Sequence, residues 1–359
     1  MKRINRYLVI VLSILCLVGC GANNDIFDED VRHQLWLSHN GADLPITVDG
    51  NTASKVFCIL LHGGPGGSAQ EFNSFTKTFT DEIENDYAMV YYDQRYAGLS
   101  RGDYDPSLNT VVQHIDDLDQ VISLLYLRYG EDIQIALMGH SWGGFLSAAY
   151  LLDPVRASRV ITWINIDGAI HRTNFLKDDM QYIIDLADQE IQAGESASRW
   201  SALKNQATAE LNRNISPYNF DSQNEPFRIV GETEVLIFDT EKIVNNSDSA
   251  FDAIYFNNYQ PFIAAGNDFR DADLIQQDMF DFDATMDANI SNITLPTLNI
   301  YGFWDVRTAP LQGQYVMDSI STPEEQKLFV MLEDSGHSPM INEPVSLAET
   351  ILDWLELYL

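Results

Sequence analysis

The chain has 359 residues, of which 45% are hydrophobic and 11% aromatic, so it can bury a sizeable core and does not have a disordered composition. Its 53 Asp and Glu residues against 21 Lys and Arg give a formal charge of -32, which repels a phosphate backbone and excludes DNA and RNA as expected partners. Three cysteines are too few for a disulfide framework or a four-thiolate metal site.

The first 19 residues have the features of a targeting signal. A basic start, KRINR at residues 2–6, precedes the apolar stretch 7–18, which is shorter than the ~20 residues that cross a bilayer. The stretch runs into LVGC, which ends at Cys20 and resembles the bacterial lipobox. This resemblance implies that residues 1–19 are removed as a lipoprotein signal peptide and that Cys20 is lipidated. The alternative is ordinary signal cleavage near this point, with Cys20 as a free thiol.

Residues 20–30 are polar and are expected to form a tether between the lipid and the folded protein. The predicted location is the cell envelope of a bacterium, where the lipid anchor would hold the protein outside the cytoplasm. Gly21, rather than Asp, directly after the cysteine favours the outer membrane in a host that has two membranes.

From residue 55 onward, short apolar runs alternate with amphipathic stretches. Six runs have the length and composition of buried strands: 55–61, 87–92, 133–138, 160–166, 297–301 and 327–332. Residues 31–49 are expected to add an antiparallel pair at one edge. This alternation predicts an α/β fold with a mostly parallel central sheet and helices on both faces.

The alternation stops between residues 170 and 294. This segment contains helical patches and is too long for a loop between two strands, so we predict an inserted, mainly helical cap domain at 170–294. The core domain is then formed by residues 31–169 and 295–359.

The strongest chemical signal is GHSWGG at residues 139–144, which follows a predicted strand and precedes a helix-like segment. In this context, G-x-S-x-G forms a sharp turn that exposes the serine, Ser141, at the carboxyl end of a strand. Glycines flank the serine because side chains there would clash. The alternative is a tight turn with an inert serine.

A serine hydroxyl needs a base, and the base needs an orienting acid. His337 follows the last predicted strand, and Asp305 follows the strand before it, so both fit the chain order Ser, acid, His. Asp167 is a rival for the acid because it follows the strand that precedes the cap.

Two further loops follow predicted strands. In HGGPGG at residues 62–67, glycines allow backbone amides to approach a substrate carbonyl and to join the amide of Trp142 in binding an oxyanion. A phosphate loop is disfavoured because the Lys-Ser/Thr pair and the G-x-G-x-x-G spacing are missing. In DQRYAGLS at residues 93–100, Asp93 and Arg95 are expected to form a buried pair that supports the active site.

Together, HGGPGG, DQR, GHSWGG, the late Asp305 and SGH at 335–337 resemble the prolyl aminopeptidases (proline iminopeptidase-like enzymes), which are serine peptidases of the α/β-hydrolase superfamily. The resemblance implies release of amino-terminal proline or another small apolar residue from peptides, with no metal or organic cofactor. By position, it also implies a nucleophile, an orienting acid, a general base and two oxyanion donors: Ser141, Asp305, His337, and the amides of Gly64 and Trp142.

The sequence departs from the family pattern at Tyr96, where the usual D-Q-R-G-x-G-x-S loop has glycine. Family members also bind the substrate ammonium through cap carboxylates, and here Glu232 and Glu234 are the candidates. Two alternatives to the peptidase remain: a carboxylesterase or amidase with the same triad, and a non-catalytic surface binding protein on a hydrolase scaffold. Epoxide hydrolases and dehalogenases are disfavoured because those relatives carry Asp at the position of Ser141.

Overall fold

The computed structural model describes residues 27–70, 73, 76–213, 225–243 and 270–359. The predicted signal peptide, the predicted lipidation site Cys20 and most of the predicted tether lie outside these residues. In the part that is described, no helix combines the length and the apolar character needed to cross a membrane.

Eight strands of the described chain form one sheet. They are β1 (Val31–His39), β2 (Ala42–Gly50), β3 (Val56–Leu61), β4 (Ala88–Tyr92), β5 (Gln134–His140), β6 (Thr162–Ile166), β7 (Thr297–Gly302) and β8 (Lys327–Leu332). Their spatial order is β1-β2-β4-β3-β5-β6-β7-β8. The β1–β2 and β2–β4 pairs are antiparallel and all other pairs are parallel, as the sequence predicted.

Burial along the strands explains their sequences. The edge strand β1 alternates between partly buried and exposed positions, whereas every residue of β3 is buried. A strand covered on both faces must be apolar at consecutive positions, which is why β3 has the sequence VFCILL. Cys58 lies within it, and burial raises the pKa of its thiol to about 12.

Helices cover both faces of the sheet. They are α1 (Lys77–Asp86), α2 (Val111–Tyr129), α3 (Trp142–Leu151), α4 (Pro154–Ala157), α5 (Arg172–Ala193), α6 (Ala197–Asn212), α7 (Glu225–Asp239), α8 (Arg270–Asn289), α9 (Leu311–Ser319), α10 (Pro339–Asn342) and α11 (Pro344–Tyr358). Helices α2 and α3 pack on one face through residues such as Leu118 and Phe145. Helices α1 and α11 pack on the other through Phe79 and Ile351. The predicted layered architecture is confirmed.

The segment between β6 and β7 is helical in its described parts, as predicted for the cap. Helices α5, α6 and α7 enclose an apolar core of their own, which includes Met180, Trp200 and Ile229. Helix α8 differs, because its Ile275 and Met279 join the core formed by α2 and the sheet. The exact cap boundaries, 170–294, stay a prediction, since residues 214–224 and 244–269 lie outside the described chain.

Candidate active site

Ser141 lies in a sharp turn between the end of β5 and the start of α3. Its backbone has φ 56° and ψ -119°, in the left-handed half of conformational space that non-glycine residues rarely adopt. The turn is tightly packed, because a Cβ on Gly139 would lie 2.3 Å from the carbonyl oxygen of Gly143. A Cβ on Gly143 would lie 2.1 Å from the carbonyl oxygen of Leu61. The two glycines of the motif are therefore required by backbone contacts.

His337 contacts both of the other predicted triad members. Its Nε2 lies 3.0 Å from Oγ of Ser141, and its Nδ1 lies 2.8 Å from Oδ2 of Asp305. With the proton on Nδ1, the imidazole donates to the carboxylate and its Nε2 accepts from the serine hydroxyl. This geometry allows His337 to take a proton from Ser141 while Asp305 orients the ring.

Asp305 is fully buried and receives donors on both carboxylate oxygens. Its Oδ1 accepts from the backbone amides of Arg307 (2.8 Å) and Thr308 (2.9 Å), and its Oδ2 accepts from the Thr308 hydroxyl (2.6 Å). Burial by itself would raise the pKa of Asp305. The charge of His337 and the hydrogen bonds from His337 and Thr308 outweigh burial and hold this pKa below its usual value. Asp305 is therefore ionised near neutral pH.

Asp167, the rival acid, lies behind Asp305 rather than at the histidine. It is fully buried, and its Oδ1 accepts from the backbone amide of Gly302 at 2.9 Å. Burial, and then the negative charge of Asp305, raise the pKa of Asp167 well above its usual value. Asp305, and not Asp167, is therefore the acid that is hydrogen-bonded to His337. Both candidate acids nevertheless lie in the same buried region.

The glycine loop lies directly against Ser141. A Cβ on Gly63 would lie 3.1 Å from the Cβ of Ser141, so only a glycine allows the loop backbone to come this close. Gly64, with φ 126°, follows in the left-handed region. Trp142, the other predicted oxyanion donor, is the first residue of α3, where backbone amides point toward the helix start. Both residues therefore lie next to the candidate nucleophile.

The sequence analysis missed Gln94, which joins three parts of the site. Its side-chain oxygen accepts from the indole nitrogen of Trp142 at 2.6 Å. Its backbone and side-chain nitrogens both bond to His62, at the start of the glycine loop, at 3.1 Å. The DQR motif marked the segment, but spacing alone did not show that its central residue faces the site.

His140 and Thr308 were also missed. His140 Nε2 donates to the carbonyl oxygen of His337 at 2.8 Å, and burial, with a smaller contribution from His337, lowers the pKa of His140 to about 3. His140 is therefore a neutral support for the loop that carries His337. The Thr308 hydroxyl also lies 2.9 Å from Nδ1 of His337. His140 is the first variable position of the G-x-S-x-G motif, which does not specify its role, and Thr308 belongs to none of the motifs.

The buried pair predicted between Asp93 and Arg95 is wrong about the partners. Asp93 Oδ1 accepts from Ser68 Oγ at 2.9 Å and from the amide of Ala69 at 2.8 Å, and its Oδ2 accepts from the amide of Leu99. Asp93 and Arg95 are both buried and both support loops of the site, but they bond to different partners. Donors from neighbouring loops satisfy the carboxylate oxygens of Asp93, and Arg95 pairs with a different residue.

The partner of Arg95 is Asp117 on helix α2. Arg95 Nε lies 2.6 Å from Asp117 Oδ2, and Arg95 Nη2 lies 2.8 Å from Asp117 Oδ1. His39 Nδ1 lies 2.7 Å from the same Oδ1. This bidentate pair joins the loop after β4 to the helix that follows it along the chain.

Glu232 and Glu234, the predicted substrate-binding acids, are placed differently on α7. Glu232 forms an exposed ion pair with Arg228, and this position gives its predicted role no support. Glu234 accepts hydrogen bonds from Arg307, from Nε at 3.0 Å and from Nη2 at 2.5 Å. Arg307 also donates its amide to Asp305, so Glu234 lies beside the triad loop.

Tyr96, which replaces a family glycine, has φ 61°, a conformation that glycine adopts without strain. Its ring packs edge-on against Tyr104 at 4.8 Å, and its hydroxyl contacts the backbone of Asp105. The departure from the motif is thus accommodated by contacts with the 104–105 segment.

Comparison with known families agrees with this geometry. The profile of the alpha/beta hydrolase fold family matches residues 59–344, which include Ser141, Asp305 and His337. The chain belongs to the α/β-hydrolase fold family. The glycine-flanked turn at Ser141 and the order of the eight strands are both features of this α/β-hydrolase.

Curated relatives of this α/β-hydrolase include peptidases. A proline iminopeptidase of Levilactobacillus brevis is 24% identical over 297 residues, which cover 83% of this chain and 87% of that protein. A Bacillus subtilis protein named "Probable aminopeptidase YbaC" is 25% identical over 312 residues, which cover 85% of this chain and 91% of that protein. The predicted resemblance to proline iminopeptidases is confirmed at the level of distant relatives.

Solved structures show the same fold at lower identity. VinJ has a TM-score of 0.60 and 19% identity, with 91% of this chain and 99% of that chain covered. A putative lipase from Acinetobacter baumannii has a TM-score of 0.53 and 15% identity, with 91% of this chain and 92% of that chain covered. At these identities, the comparison shows a shared fold and leaves the substrate open.

The buried pair of Arg95 and Asp117 predicts a large loss of stability when it is broken. Asp117→Ala leaves the Arg95 guanidinium buried without its carboxylate, so we expect a loss of ~3–5 kcal/mol in the free energy of unfolding. The neighbouring Asp116→Ala removes a partly exposed ion pair with Arg156 and is expected to cost ~0–1 kcal/mol. Urea denaturation of both variants checks this, and equal losses would show that burial of the pair is unimportant.

Proposed function

We propose that the protein is a serine hydrolase that acts through an acyl-enzyme. The observation that supports this most strongly is the continuous hydrogen-bonded contact from Ser141 through His337 to Asp305. In the first step, Ser141 Oγ attacks a substrate carbonyl while His337 Nε2 takes the hydroxyl proton. His337 then gives this proton to the leaving group as the carbonyl re-forms. Water, activated by the same histidine, hydrolyses the ester and releases Ser141.

The amides of Gly64 and Trp142 are proposed to bind the oxyanion that forms during each attack. Support comes from the close approach of the glycine loop to Ser141 and from the position of Trp142 at the start of α3. Each such donor is worth ~3 kcal/mol of barrier lowering, because it is already aimed at the charge that develops in the transition state. Gln94 supports both donors by bonding to Trp142 and to His62.

We propose that the preferred substrates are peptides with a free amino-terminal proline or small apolar residue. The names of the distant relatives and the combination of motifs support this preference. Glu234 is the better candidate for contact with the substrate ammonium, because its partner Arg307 adjoins the triad acid. A carboxylesterase or amidase with the same triad is the alternative, since fold and triad determine the reaction type but leave the leaving group open.

The proposed nucleophile can be tested without knowledge of the substrate. Ser141→Ala should abolish both hydrolysis and covalent labelling by a fluorophosphonate probe, because the attacking oxygen is gone. Ser158→Ala, which alters an exposed hydroxyl at the end of α4, should react like the wild type. In-gel fluorescence and a peptide map of the labelled site provide the measurement. Absence of labelling in the correctly folded wild type would instead favour the non-catalytic binding protein.

Matched substrates can separate the peptidase from the esterase. We expect proline-β-naphthylamide, which has a free amino group, to be hydrolysed well. Its N-acetylated form should be hydrolysed at least tenfold more slowly. A short-chain p-nitrophenyl ester should be a poorer substrate than the unacetylated proline-β-naphthylamide. Glu234→Gln should raise KM about tenfold for the free amine, since one charge contact is worth ~1.4 kcal/mol. Glu232→Gln is the matched control. A dominant ester rate that is indifferent to acetylation would refute the peptidase preference.

We also propose that the mature protein is anchored to a membrane of the cell envelope through lipid on Cys20. The support is the basic start, short apolar stretch and terminal LVGC of the signal segment. Cys20→Ser should eliminate incorporation of an alkyne-tagged fatty acid and release the protein from the membrane fraction. Cys58→Ser, which changes the buried thiol in β3, should retain both properties. Membrane retention of the unlabelled Cys20→Ser protein would contradict the anchor.

A further inference from the structure

Asp167, at the end of β6, is in an energetically unfavourable position. It is fully buried and has φ 45°, which is unfavourable for a residue with a Cβ. Its backbone is held on both sides, since its amide donates to the carbonyl oxygen of Ile300 at 2.9 Å and its carbonyl oxygen lies 2.9 Å from the Thr308 hydroxyl. The same hydroxyl lies 2.6 Å from Asp305 Oδ2. Asp167 is therefore fixed directly behind the triad acid.

The two carboxyl groups differ sharply in their donors. Asp305 accepts from two amides, a hydroxyl and His337. Asp167 accepts one amide on Oδ1, and its buried Oδ2 has no donor among the residues described. The Thr308 hydroxyl contacts both residues, and hydrogen bonding to the Asp305 carboxyl group is one of the causes that raise the pKa of Asp167. Two adjacent buried carboxylates cannot both be ionised, so the proton belongs on the one with fewer donors.

We propose that Asp167 is a positioning residue, whose protonated carboxyl group donates a hydrogen bond to Asp305 and thereby keeps the triad working toward lower pH. This inference rests on the triad proposed above. A neutral donor on Asp305 withdraws electron density from its carboxylate. The carboxylate then holds the imidazolium form of His337 less strongly, so His337 loses its extra proton at a lower pH and can act as a base.

Other titratable groups face this pair from the surrounding elements. Tyr301 on β7 and Asp179 on α5 are buried, and Tyr182 on α5 is partly buried. Burial raises the pKa of each, and the two tyrosines are therefore uncharged near neutral pH. His140 on β5 is neutral, because burial lowers its pKa to about 3. His337 is then the titratable group that bonds directly to Asp305.

The sign of a pH shift distinguishes a neutral donor from a second negative charge. If Asp167 is a neutral donor, Asp167→Asn supplies an amide donor of the same shape and leaves the pH dependence unchanged. Asp167→Ala removes the donor, so His337 retains its proton to higher pH. If Asp167 were ionised, both variants would remove a negative charge and make His337 lose its proton at lower pH.

The rate of fluorophosphonate labelling of Ser141 as a function of pH measures this, because labelling requires deprotonated His337. For Asp167→Ala, we expect the midpoint of the acid limb to move up by about one pH unit, and for Asp167→Asn by less than about 0.3 units. A downward shift in Asp167→Asn, or no shift in Asp167→Ala, overturns the inference. Asp179→Ala removes another buried carboxyl group near Asp305, so it is the matched control, and an equal shift there would also overturn the inference.

Infrared spectroscopy provides a second measurement, which decides the matter if Asp167→Ala does not fold. At pH 8, the difference spectrum between wild type and Asp167→Asn should contain the carbonyl band of a protonated carboxylic acid. This band should shift in Asp305→Asn, where the acceptor changes. Absence of the band refutes the inference even when Ser141 is labelled normally, whereas failure to label Ser141 refutes the proposed hydrolase instead.

Discussion

The candidate site depends on one constraint, the parallel direction of β5, β6, β7 and β8 within a single sheet. Because the strands are parallel, their carboxyl ends lie along one edge, and the loops that follow them meet there. Ser141 follows β5, Asp167 follows β6, Asp305 follows β7 and His337 follows β8. Residues separated by 196 positions, Ser141 and His337, thus come within hydrogen-bonding distance.

A second feature of the site is how a strongly acidic protein accommodates buried carboxyl groups. The chain has 53 acidic and only 21 Lys and Arg residues, so salt bridges cannot neutralise every acid. Asp93 and Asp305 are instead surrounded by backbone amides and hydroxyl groups of adjacent loops. Asp117 has the guanidinium of Arg95. These acids therefore fix the loops around Ser141, since each donor belongs to a loop of the site or to the segment that carries it.

The sequence analysis identified the residues that meet but not every contact between them. GHSWGG was recognisable because the sharp turn requires glycines at short, regular spacing, and the order of strands and helices followed from periodicity. The partners of Asp93 and Arg95 could not be read in this way. Asp117, the partner of Arg95, lies 22 residues away on a helix, and no local pattern relates the two. Helix α8 was assigned to the cap from its position in the chain, yet it packs on the core because of its apolar face.

By itself, the sequence determined the mostly parallel α/β architecture, the glycine-flanked turn at Ser141 and the chain order of the candidate triad. These features depend on spacing within single elements and on the rule that the carboxyl ends of parallel strands lie along one edge of the sheet. Only the tertiary structure decided which of Asp305 and Asp167 bonds to His337, and which of Glu232 and Glu234 lies near the triad. Those outcomes depend on how loops from different strands pack around buried charges. The energies involved come from desolvation and from individual hydrogen bonds, which are set by atoms far apart in the chain.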